Sequence, residues 1–117
     1  MKATITAAVI AAGSLLVAAN ANADIWCSGK LAGVYINASG DVIINASWRN
    51  DWTRICNLNA AAPGTVTCSL WASFATTAWQ GNRNVRVMYS GGPTSCSAIP
   101  SYNGAPIPDY VMLEGQS

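Results

Sequence analysis

At 117 residues, with six Lys and Arg against five Asp and Glu and no His, the chain has room for one core and carries neither a basic field for nucleic acid nor an acidic tail. The absence of His removes the usual general base and the His member of Ser and Cys triads.

Residues 1–23 have the pattern of a cleavable signal peptide: a positive start at Lys2, an apolar run from Ala7 to Ala19, and small residues at Ala21 and Ala23 before Asp24. The apolar run is too short to span a bilayer, which takes about 20 residues, so no retained membrane span is expected. The predicted product is secreted or periplasmic. It is a single domain over 24–117, about 94 residues of zero formal charge once Lys2 leaves with the leader.

Residues 30–37 and 42–48 are rich in β-branched and aromatic side chains around the turn signal Ala38-Ser39-Gly40-Asp41, which predicts a hairpin. In the second strand Val42, Ile44, Ala46 and Trp48 alternate with Asp41, Ile43, Asn45 and Ser47, so one face is expected to be buried. After the polar break at 49–52, a third strand is predicted over 53–58. The period then changes: Leu70, Phe74 and Ala78 form one line at helical spacing and Trp71, Ala75 and Trp79 a second, predicting an amphipathic helix over 67–80. Thr65 or Thr67 is the expected N-cap and Gly81 the expected left-handed stop. Strands are predicted at 84–89 and 110–113, separated by a turn-rich segment containing Pro93, Pro100, Pro106 and Pro108.

Three strands, a helix and two strands is the order of a five-stranded OB-like barrel, mainly β with one helix; an open α+β sheet with the helix on one face has the same order. Cys27, Cys56, Cys68 and Cys96 are even in number, and none has a partner at zinc-ligand spacing, so two disulfides are expected. In the barrel the first strand lies antiparallel to the fourth, which sets Cys27 beside Cys96 and leaves Cys56 to pair with Cys68.

No phosphate, calcium or zinc motif is present, and Asp24, Asp41, Asp51, Asp109 and Glu114 form no paired-carboxylate motif, so neither a cofactor nor a metal is expected, and no enzymatic activity. The distinctive segment is Trp48-Arg49-Asn50-Asp51-Trp52. Trp48 is in phase with the buried face, whereas Trp52 follows the polar break. Arg49, Asn50 and Trp52 are therefore the candidate ligand-binding residues, able to offer an aromatic face with planar hydrogen-bonding groups to a sugar or a protein. For the helix, Trp71 or Trp79 is the expected anchor.

Trp48-Arg49-Asn50, Ile55-Cys56-Asn57, Cys68, the strand 85–89, Cys96 and the run from Ile99-Pro100-Ser101-Tyr102 to Pro108-Asp109-Tyr110-Val111 resemble a group of small secreted bacterial proteins without assigned function. Over 53–89, the cysteine after the third strand, Trp71-Ala72-Ser73-Phe74 and the Gly81–Val87 segment resemble the B subunits of subtilase-cytotoxin-type and pertussis-like AB5 toxins. That resemblance implies an OB fold, a homo-oligomer and recognition of glycans or a surface protein. A secreted or periplasmic enzyme inhibitor is the alternative function, and a small hydrolase the third.

Overall fold

The computed structural model describes residues 23–115. Apart from Ala23, the leader lies outside the described residues. The domain is mainly β with one helix. Its elements are β1 (Ile25–Gly29), β2 (Leu31–Ile36), β3 (Asp41–Ala46), β4 (Asp51–Asn57), α1 (Thr65–Gly81), β5 (Val85–Tyr89), a 3₁₀ turn (Cys96–Ala98) and β6 (Tyr110–Leu113). No described helix is long and apolar enough to cross a membrane.

The strands form two antiparallel three-stranded sheets, ordered β1-β5-β6 and β2-β3-β4. Only Lys30 separates β1 from β2, so one extended run serves both sheets. This corrects the expected first strand over 30–37, which begins five residues earlier. Ser28 and Gly29 are poor strand formers, but their ladder partners Arg86 and Val85 hold them in register, and tertiary pairing overrides propensity.

The β2–β3 hairpin is built by Asn37, whose side-chain oxygen accepts from the Ser39 and Asp41 amides at 3.0 Å each. Gly40 supplies the φ of 90° that this turn requires. The resulting register pairs Val34 with Ile44 and Tyr35 with Ile43. Val42, Ile44 and Ala46 face the core as expected, but Ile43, on the opposite face, is only 2 % exposed. The expectation of one buried face is therefore corrected. Ile43 sits in the ladder between Tyr35 and Arg54, and these long neighbours cover it.

The strand predicted to reach Trp48 ends at Ala46. There the Arg49 and Asn50 amides both donate to the Ala46 carbonyl, at 3.0 and 2.8 Å, and reverse the chain. Asn50 takes φ 55°, in the left-handed region that Asn tolerates better than most residues. As a result β4 starts at Asp51, and Trp52 belongs to a strand instead of the predicted polar break.

Helix α1 packs chiefly across β2 and β6. It buries Cys68, Trp71, Ala75 and Ala78, one residue or two from each of the predicted lines, while Leu70 and Trp79 are 53 % and 47 % exposed. Trp71 is therefore the anchor and Trp79 is not. The N-cap is Gly64, without a side-chain cap; Thr65 instead donates its hydroxyl to the Leu58 carbonyl at 2.7 Å. The left-handed stop is Asn82, one residue beyond Gly81, and its amide donates to Ala78.

Both sheets and the helix share one core, centred on Ile44, Ile55, Val85, Val87 and Ile99, none more than 1 % exposed. The disulfides are Cys27–Cys96 and Cys56–Cys68, as the strand order implies. With sequence separations of 69 and 12, the chain-entropy model assigns them about 4.4 and about 3 kcal/mol. Among the described residues no ladder joins β4 to β6. The free edge of β4 instead meets Tyr102 in a single parallel bridge at Thr53.

Candidate ligand-binding site

Strand alternation sets two consecutive rungs side by side on the outer face of the β2-β3-β4 sheet. One rung is Gly33, Asn45 and Trp52; the next is Tyr35, Ile43 and Arg54. Gly33 is required by a close approach, because a Cβ there would stand 2.9 Å from Cη2 of Trp52. The indole therefore lies against the backbone of β2. From that position it meets the Tyr35 ring edge-on, with centroids 5.0 Å apart and planes at 69°, the arrangement aromatic quadrupoles favour. Trp52 is half-buried by these neighbours and Tyr35 is 39 % exposed.

The three predicted residues separate. Arg49 is committed to structure: its Nε donates to the Ile99 carbonyl at 2.6 Å and its Nη2 to the Ser101 hydroxyl at 3.3 Å, with Asp51 at 3.7 Å. Ser101 in turn donates to Asp51 at 2.6 Å, and the Trp52 amide donates to the other carboxylate oxygen at 2.7 Å. The Ser101 hydroxyl first, then the Trp52 amide and the Arg49 charge, hold the Asp51 carboxyl below its ordinary range. Asn50 is exposed in the turn beside this network. Only Trp52 enters the aromatic pair.

The segment 99–105 is fixed along β4. The Tyr102 amide donates to the Trp52 carbonyl at 2.8 Å, and the Arg54 amide to the Tyr102 carbonyl at 3.2 Å. From β4 the Arg54 side chain reaches the carbonyls of Asn103 and Ala105 at 3.4 and 3.3 Å, with Asp41 at 3.8 Å. Tyr102 is 47 % exposed at the rim of the outer face. Sequence reasoning missed Tyr35 as the partner of Trp52. The signal was present in Gly33-x-Tyr35, which falls in phase with Ile43 and Asn45 once the hairpin register is known.

Chemically, the site offers two aromatic surfaces and nearby amides. The electron-rich face of an aromatic ring attracts the weakly positive C–H face of a pyranose, and amides pair with its hydroxyls. A separate shallow groove of about 400 Å³ is lined by Gly92, Pro93, Thr94, Ala98, Pro100 and Pro106. That lining has no aromatic ring and one hydroxyl, so the shelf formed by Tyr35 and Trp52 is chemically the better equipped. Among the described residues, no three acidic or cysteine side chains are grouped to hold a metal ion. Comparison of the chain with protein-family models, curated proteins and solved structures finds no match.

Proposed function

We propose that the chain is a secreted or periplasmic, non-enzymatic binding module that recognises glycans in the manner of a toxin B subunit. The observation that carries this reading is the Tyr35–Trp52 pair, held edge-to-face on an outer sheet face and partly open to solvent. A residue on a scaffold strand is better positioned for recognition than one on a loop. Here two disulfides, which form and persist outside the reducing cytosol, support the extracytoplasmic setting.

An OB-like architecture is part of the proposal. It is supported by the bent run β1–β2, which pairs with β5 on one side and β3 on the other. A second support is the parallel bridge from Thr53 to Tyr102, at the place where a barrel of this type closes.

The test is a glycan array probed with the mature, oxidised protein and with Trp52→Ala and Tyr35→Ala. Binding that both substitutions weaken is the expected result. Absence of binding to any glycan, together with capture of a hydrolase that the protein inhibits, would replace this reading with the inhibitor.

A further inference from the structure

The charges around the shelf decide which glycans it can take. Two guanidinium groups lie beside it, and both are already engaged. Arg49 holds the 99–101 backbone and faces Asp51; Arg54 holds the Asn103 and Ala105 carbonyls and faces Asp41, whose side chain is 5 % exposed. Two cations and two carboxylates therefore cancel locally. The other cations among the described residues are also committed: Lys30 to the Asn82 carbonyl, Arg83 to the Glu114 carbonyl and Arg86 to the Glu114 carboxylate.

A sialic or uronic acid is normally held by a bidentate guanidinium or another charge-assisted donor. On this face, its carboxylate would have to take an arginine from Asp41 or Asp51, leaving that acid without its counter-charge and the carbonyls of the 99–105 segment without their guanidinium donor. Uncharged donors and acceptors remain free. Asn45, in the same rung as Trp52, makes no side-chain hydrogen bond among the described residues, and neither do Asn50 and Asn103 nearby. An amide presents a donor and an acceptor together, which matches neighbouring sugar hydroxyls.

We infer that the Tyr35–Trp52 shelf is selective for neutral pyranoses, stacking the sugar on the aromatic rings and using Asn45 as its hydrogen-bonding partner, and that it discriminates against carboxylated glycans. The inference rests on the glycan-binding reading above and adds the ligand's charge class.

The test uses the oxidised mature protein on lactose-terminated oligosaccharides and on the same oligosaccharides capped with sialic acid, read by tryptophan fluorescence and saturation-transfer NMR. The expected result is binding to the neutral set with weak salt dependence. Trp52→Ala and Asn45→Ala should each lower affinity by roughly tenfold, while Trp26→Ala, an exposed indole on the other sheet, leaves it unchanged. Binding confined to the sialylated set and lost in Trp52→Ala would overturn the charge class while keeping the glycan-binding reading. Neutral binding that survives Trp52→Ala would overturn the shelf as its location. No binding to either set, or to any other glycan, would overturn both.

Discussion

Trp71 and Trp79 lie two turns apart on α1, and truncating each to alanine should separate core from surface within one helix. Trp71 is 6 % exposed and packs in the common core with Ala75 and Ala78, whereas Trp79 is 47 % exposed. Removing a buried indole costs about 3–5 kcal/mol through lost transfer energy and the cavity left behind. A domain of this size has roughly 5–14 kcal/mol of stability in total. At about 4–8 °C per kcal/mol for a small domain, Trp71→Ala should lower Tm by at least about 12 °C. Trp79→Ala should change stability by less than about 0.5 kcal/mol. Guanidinium unfolding of the oxidised proteins, followed by far-UV circular dichroism, measures both. Equal losses for the two variants would refute the assignment of Trp71 as the sole indole anchor of the helix.

Gly33→Ala should push the Trp52 indole away from β2, because the new Cβ would stand 2.9 Å from Cη2; a weakened near-UV dichroism signal checks this, with about 1–3 kcal/mol of destabilisation from overpacking. Tyr89 is 2 % exposed, and burial pushes its hydroxyl from the ordinary 10.0 up to about 12. The unfolded chain therefore loses this proton first: the contribution is complete below about pH 10 and disappears as pH rises toward 12, about 2–3 kcal/mol in all. Tyr89→Phe should flatten that part of an alkaline unfolding titration. The Asp51 carboxyl is held below its ordinary 3.8, so its contribution is present above that pH and lost as pH falls through the lowered value. Asp51→Asn should accordingly reduce the loss of stability on acidification in the same range, measured by urea unfolding at stepped pH.

Much of the architecture follows from local pattern and cysteine placement. The helix was legible because Leu70, Trp71, Phe74, Ala75 and Ala78 repeat at helical spacing, and the disulfide pairing because it follows from strand order. The spacing could not choose between Trp71 and Trp79 as the anchor, since both lie on one line and are equivalent until β2 and β6 cover one side of the helix. The site was harder to read for a different reason. Arg49 and Arg54 act on residues about 50 positions away, in a segment with no period to betray its contacts. Likewise, Trp52 falls outside the predicted third strand because the polar run 49–52 suggests a longer loop than the chain uses. The two amides closing on Ala46 shorten that loop and return Trp52 to the sheet.

The single bridge between Thr53 and Tyr102 also bears on how this domain could diversify. A strand ladder fixes register residue by residue, so an insertion shifts every following side chain to the opposite face. One rung, fastened on either side by a guanidinium, imposes no such count. Insertions or deletions at 90–95 or 106–108 could reshape the rim around Trp52 while the rungs beneath it keep their alignment. An exposed strand edge would ordinarily invite another chain to add to it; with Tyr102 docked there, that rim can vary in length without reopening the edge to polymerisation.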